Sequence, residues 1–60
     1  MDEVTEEYLE LKAQIGLTNP KLGEVLGLSK RAVERYNTGQ VIPIRAILMA
    51  MKYHLHLRDS

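Results

Sequence analysis

Residues that interrupt helices divide this chain into four short segments. Gly16, Gly27 and Gly39 each favour the left-handed backbone that ends a helix, and Pro43 suits the first turn of a new helix. Within the segments, apolar residues recur at spacings of three and four, the pattern of a helix that buries one face. No stretch has the pattern of a strand. The chain is therefore predicted to be all-α, with four helices and a short fifth turn at the C-terminus.

The same pattern predicts where the helices lie. We expect helices over residues 2–15, from the capping residue Thr18 to Gly27, from the capping residue Ser29 to about residue 37, and over about residues 43–57. The residues expected in the core are Val4, Tyr8, Leu11, Ile15, Leu22, Val25, Leu26, Ala32, Val33, Tyr36, Ile44, Ile47, Leu48, Met51 and Leu55.

The length and the absence of cysteine limit how the fold is stabilised. Sixty residues suffice for one domain, residues 1–60, and no Cys is present to form a disulfide or a thiolate zinc site. The longest apolar stretch, residues 41–57, contains Arg45 and Lys52 and so is not expected to span a membrane. We expect a soluble, cytoplasmic protein of a bacterial cell or phage-infected host, with no membrane partner.

Charge is distributed unevenly, although the formal net charge is zero. Residues 1–17 carry five carboxylates against Lys12, whereas residues 18–60 carry seven Lys and Arg side chains against three carboxylates. A basic body beside an acidic first helix is compatible with a nucleic-acid partner, which overall neutrality alone would disfavour.

The sequence contains no arrangement of residues typical of a catalytic site or a metal site. His54 and His56 point about 200° apart on a helix, and no Cys or carboxylate cluster completes a metal shell. No Cys, and no Ser, His and acid at a suggestive spacing, is present to form an activated nucleophile. We expect no enzyme activity, no metal, no cofactor and no small-molecule ligand.

The middle of the chain has the spacing of a two-helix DNA-binding motif. Residues 18–29 (TNPKLGEVLGLS), followed by Val33, Gly39 and Pro43, resemble the helix-turn-helix of the Cro and Xre-type family of phage repressors. The resemblance covers residues 18–43 and implies a lambda-repressor-like domain with its motif at about residues 18–38.

Three positions depart from the family pattern. Asn19 stands where a Gln usually bridges a phosphate to a base-reading residue, so its reach is shorter. Gly23 replaces the usual Ala, which keeps a close helix contact at a cost of about 0.5–1 kcal/mol of helix stability. Asn37 replaces the usual Glu, which removes a negative charge near the expected contact with the DNA backbone.

The motif's second helix presents a charged face. On that helix Lys30, Arg31, Glu34, Arg35 and Thr38 fall within an arc of about 140°, opposite the apolar residues. The residues predicted to read bases are Lys30, Arg31, Glu34 and Arg35. Those predicted to contact phosphate, partly from the resemblance, are Thr18, Asn19, Ser29, Thr38, Gln40 and Arg45. The alternative is an ordinary solvated face with a Lys30–Glu34 pair.

The last helix has a second apolar side, made by Ala46, Met49, Ala50, Tyr53 and Leu57. In so small a domain this side predicts a homodimer interface, although these residues could instead cover the first helix or the C-terminal tail. A two-fold dimer would bind an inverted repeat with half-site centres about 10–10.5 bp apart, or a multiple of that.

These features predict a transcriptional repressor that binds a double-stranded DNA operator. Arg35-Tyr36 followed by Thr38-Gly39 also resembles small autorepressors found beside anti-CRISPR genes, which implies autoregulation. The alternative is an antitoxin-like or adaptor module that keeps the fold and binds an acidic protein partner.

Overall fold

A computed structural model describes residues 2–59, which form four α-helices and no strand. The helices are α1 (Glu3–Ile15), α2 (Asn19–Leu26), α3 (Lys30–Asn37) and α4 (Arg45–Asp59). The predicted all-α fold is thereby confirmed, and the described residues contain no fifth helix. None of these helices combines the length and the apolarity that crossing a bilayer requires.

The ends of α1 follow from its sequence. The Asp2 carboxylate accepts a hydrogen bond from the Val4 amide at 2.8 Å, which satisfies one of the unpaired donors at the start of the helix. Gly16 adopts the left-handed conformation at φ 73° and donates its amide to the Lys12 carbonyl. Gly16 therefore ends α1, as predicted.

The connection before α4 differs from the prediction. The helix begins at Arg45 rather than at Pro43, and it continues to Asp59 rather than to residue 57. Pro43 is buried in the connection, and the Ile44 carbonyl accepts from the Ile47 amide in a tight turn. Because Ile44 precedes the helix, the helical wheel does not apply to it. Its side chain is 65% exposed, so the prediction that it lies in the core was wrong.

One apolar cluster contains side chains from all four helices. Its buried members are Tyr8, Leu11, Ile15, Leu22, Val33, Leu48 and Met51. The Tyr8 and Tyr36 rings meet edge to face, with centroids 5.6 Å apart. Such a contact adds to the stabilisation from burial, so α1 and α3 are joined at the centre of the core.

Val25 is the other core prediction that was wrong, because its side chain is 46% exposed. Leu22 and Gly23 are buried and Leu26 is half-buried. With about 100° between successive residues, Val25 lies on the opposite side of Leu22 from both Gly23 and Leu26. The contact at Gly23 turns the buried face of α2 away from Val25.

Gly23 is where α2 approaches the following turn most closely. A Cβ at this position would lie 2.7 Å from the Leu28 carbonyl oxygen, closer than a carbon atom can come. The Leu28 amide also donates to the Gly23 carbonyl at 2.7 Å. The close contact at Gly23 is therefore with the backbone of the turn between α2 and α3 rather than with another helix, and an Ala side chain does not fit there.

Polar contacts join α4 to α1. The Lys52 ammonium lies 2.8 Å from the Glu7 carboxylate, and its hydrogen bond and charge, followed by the charge of Arg45, hold the pKa of Glu7 below its usual value. Near the C-terminus, the Arg58 guanidinium donates to the Ile15 and Gln14 carbonyls at 2.8 and 2.9 Å. Arg58 therefore caps the last turn of α1.

Candidate nucleic-acid interface

The candidate site is centred on α3, which is anchored on one side and open to solvent on the other. Val33 is fully buried, and Ala32 and Tyr36 are half-buried beside it. The residues of the opposite side are all exposed: Lys30, Arg31, Glu34 and Arg35, here termed the α3 face. All four residues predicted to read bases therefore lie together on one accessible surface.

The charges of the α3 face are only weakly neutralised. The Lys30 ammonium lies 3.9 Å from the Glu34 carboxylate, and both side chains are at least half exposed. An exposed pair of this kind stabilises the helix little and separates easily. Within residues 2–59, the guanidinium groups of Arg31 and Arg35 have no ion-pair or hydrogen-bond partner. Two cationic forks are thus available to an external ligand.

Ser29 begins α3 as predicted. Its hydroxyl oxygen accepts from the Ala32 amide at 3.2 Å. That contact uses an oxygen lone pair, and the hydroxyl hydrogen remains able to donate to an acceptor outside the chain. Ser29 can therefore cap the helix and still contact a phosphate.

The start of α2 differs from the prediction in one respect. Thr18 occupies the cap position and its carbonyl accepts from the Leu22 amide at 2.8 Å, but its side chain makes no capping hydrogen bond. A capping side chain bonds to the second or third amide of a helix, and Pro20, at the second position, has none. The Thr18 hydroxyl is left exposed beside the remaining free amides.

Asn19, the first residue of α2, is joined to the last residue of α3. The Asn37 side-chain NH₂ donates to the Asn19 side-chain oxygen at 3.0 Å, and both residues are half-buried. Asn37 was not predicted to have any role beyond removing a charge. A contact between residues this far apart in the sequence has no signal in periodicity or spacing, so only the folded structure reveals it.

Thr38 and Gln40 lie in the turn that follows α3, and both donate a hydrogen bond to the Arg35 carbonyl oxygen. The Thr38 hydroxyl donates to the Arg35 carbonyl at 3.2 Å, and the Gln40 backbone amide donates to the same oxygen at 3.0 Å. The hydroxyl hydrogen of Thr38 is therefore engaged, which weakens the case for Thr38 as a phosphate donor. The Gln40 side chain is exposed.

Arg45 interacts with α1 rather than with the residues described above. It is exposed at the start of α4, and its charge contributes to lowering the pKa of Glu7 on α1, after the hydrogen bond and charge of Lys52. Its predicted phosphate contact stays a prediction.

The second apolar side of α4 is exposed in the single chain. Its members are Ala46, Met49, Ala50, Tyr53 and Leu57, here termed the α4 face. Met49 and Tyr53 are 69% and 64% exposed. Neither α1 nor the described part of the C-terminal tail covers them, so the alternative explanations for these two residues lose support.

A shallow groove of about 390 Å³ lies between α2 and α4. It is lined by Leu17, Lys21, Glu24, Val25 and His54. This groove was not predicted from the sequence, because Val25 was expected in the core. Within residues 2–59 no three His, Cys, Asp or Glu side chains lie together as metal ligands, at His54 or elsewhere.

Comparison with protein-family models, with curated proteins and with solved structures found no match to the chain.

Proposed function

We propose that this protein is a sequence-specific repressor that binds a double-stranded DNA operator as a dimer. The observation that carries the proposal is the α3 face, where the unpaired guanidinium groups of Arg31 and Arg35 lie on a helix whose other side is held by the buried Val33.

The dimensions of α3 suit the major groove. An α-helix with its side chains is about 10–12 Å in diameter, and the major groove is about 12 Å wide, so α3 can lie within the groove. Arg31 and Arg35 each match the paired acceptors of guanine, Lys30 can donate to the same atoms, and Glu34 can accept from cytosine. The Lys30–Glu34 pair does not oppose this, because a surface ion pair costs little to separate.

Donors that suit phosphate oxygens occur at the starts of both α2 and α3. The Thr18 and Ser29 hydroxyl hydrogens and the Asn19 amide hydrogens are not used in hydrogen bonds within the described chain. Contacts to the DNA backbone from these positions would orient α3 in the groove without reading sequence.

The α4 face supports dimerisation. Met49 and Tyr53 are large, apolar and mostly exposed, and the small residues Ala46 and Ala50 let two helices approach closely. Two-fold symmetry would bring two α3 faces to one side of the DNA, about 34–36 Å apart. A dimer bound over a promoter represses by occupying it, and an operator beside its own gene would make the protein autoregulatory.

Selection of bound duplexes from a random pool tests this function. We expect enrichment of an inverted repeat, with an affinity that falls steeply as salt increases, because phosphate contacts release counterions. Failure to enrich any sequence, with no binding to duplex DNA at low salt, would contradict the proposal. A protein ligand captured at high salt would then favour an adaptor function.

Sedimentation tests the dimer separately. We expect the wild type to be dimeric at micromolar concentration and the Met49→Glu, Tyr53→Glu double variant to be monomeric with a much weaker affinity for the palindrome. Ala13→Glu, which puts the same charge on an exposed residue of α1, is the matched control and should stay dimeric. A monomeric wild type would refute this interface.

A further inference from the structure

The side-chain amides of Asn19 and Asn37 form a polar contact between the start of α2 and the end of α3. The direction of the hydrogen bond is specific: the NH₂ group of Asn37 donates and the oxygen of Asn19 accepts, at 3.0 Å. The oxygen of Asn37 is buried and has no hydrogen-bond partner within residues 2–59. A buried acceptor without a partner is costly, so Asn37 stabilises the fold less than a fully hydrogen-bonded amide would.

This direction determines which end of the Asn19 amide is free. A carboxamide has an oxygen that accepts and an NH₂ group that donates, on opposite sides of its carbon. Since Asn37 engages the oxygen, the NH₂ group of Asn19 is the free end. It belongs to the first residue of α2, directly after the exposed Thr18, whose hydroxyl makes no capping bond.

We propose that Asn37 is a positioning residue that holds Asn19 with its NH₂ group available to a DNA phosphate. The inference rests on the proposed function, because it concerns how the phosphate contact at α2 is made. A phosphate oxygen only accepts hydrogen bonds, so the opposite amide orientation would present an oxygen to it and repel it. Asn37 thus holds the Asn19 amide in the orientation that can donate to a phosphate oxygen.

Asn37→Asp is the variant that tests the orientation. A carboxylate can only accept, so the Asn19 amide must turn its NH₂ group inward and lose the phosphate contact. Because Asp also adds a negative charge near DNA, the same change is made in an Asn19→Ala background, where the charge effect remains and the orientation effect is absent. The four proteins form a double-mutant cycle that separates the two effects.

Binding is measured by fluorescence anisotropy on the duplex that the wild type selects, at several salt concentrations. We expect Asn37→Asp to weaken binding about tenfold with Asn19 present and by less than about threefold with Ala at position 19. The slope of log affinity against log salt concentration should become shallower by about one, the value of one phosphate contact, only when Asn19 is present.

Asn37→Ala is the second variant, and it adds no charge. It should weaken binding about threefold with Asn19 present and have no further effect in the Asn19→Ala background. Thermal melting of each free protein checks that it is folded at the assay temperature.

Equal losses in the two backgrounds, for either variant, would overturn the positioning role while leaving DNA binding intact. Full affinity of both Asn37 variants would overturn it as well. If the wild type selects no duplex, the proposed function itself fails and the positioning role fails with it.

Discussion

Substitution of Gly23 by Ala sets two physical effects against each other at one position. Gly is poorly suited to a helix interior, so Ala should stabilise α2 by about 1 kcal/mol. The structure opposes this gain, since the added Cβ would lie 2.7 Å from the Leu28 carbonyl oxygen. The obstructing atom belongs to the backbone, so no side-chain rotation can relieve the contact.

The expected loss of stability depends on how far the Leu28 backbone must move to make room for the added Cβ. Overpacking a tight site costs about 1–3 kcal/mol, and displacing Leu28 also weakens the hydrogen bond from its amide to the Gly23 carbonyl, worth about 0.5–1.5 kcal/mol. After subtraction of the helix-propensity gain, we expect Gly23→Ala to lower the free energy of unfolding by about 0.5–3.5 kcal/mol. In a domain of this size, that corresponds to a fall in Tm of about 2–28 °C.

Thermal melting followed by circular dichroism, together with urea denaturation, measures the change. Glu24→Ala is the matched control, because Glu24 is an exposed neighbour in the same helix and its change should stay within about 0.5 kcal/mol. A Gly23→Ala protein that melts at or above the wild-type temperature would refute the close approach of α2 to the turn.

Three further predictions concern Tyr8 and Arg58. The Tyr8 hydroxyl is buried without a hydrogen-bond partner in residues 2–59, so Tyr8→Phe should raise the free energy of unfolding, measured in urea, by about 1 kcal/mol. A decrease of more than about 1 kcal/mol would show that the hydroxyl does make a hydrogen bond. Burial, and to a lesser extent Tyr36, raises the pKa of Tyr8 from 10.0 to about 12. Because the folded state keeps the phenol proton that the unfolded state releases, stability should be fully present below pH 10 and fall by about 2 kcal/mol as the pH rises to 12, a fall that Tyr8→Phe should largely remove in alkaline urea titrations. Arg58→Ala removes two hydrogen bonds to the end of α1 and should cost about 1–3 kcal/mol, with Arg58→Lys intermediate because an ammonium lacks the fork. Equal stability of the Ala variant and the wild type would show that this cap contributes nothing.

Much of the fold follows from local chemistry that the sequence displays. Gly16 adopts the left-handed conformation at the end of α1, and Ser29 caps α3 through its hydroxyl, because both effects depend only on neighbouring residues. The periodic apolar residues of α1 and α3 lie in the core for the same reason. The charged α3 face could be predicted because a helix has a fixed angular repeat.

The errors occur where tertiary contacts decide the outcome. Ile44 is exposed because the buried Pro43 holds the connection outside the helix, and Val25 is exposed because the contact at Gly23 rotates α2. The Asn19–Asn37 pair depends on how the ends of two helices meet, which no local pattern encodes. Features that arise from the packing of elements therefore require the structure.

The most direct test of the proposed function is the affinity and specificity of α3-face variants for the selected operator. We expect Arg31→Ala and Arg35→Ala each to cost about 1–3 kcal/mol of binding free energy, seen as lost discrimination at one or two operator positions. Lys21→Ala is the matched control, because it removes the same charge from an exposed side chain outside the α3 face. Lys21→Ala should leave base discrimination unchanged. If both Arg variants bind the operator as tightly and as selectively as the wild type, the α3 face does not read DNA.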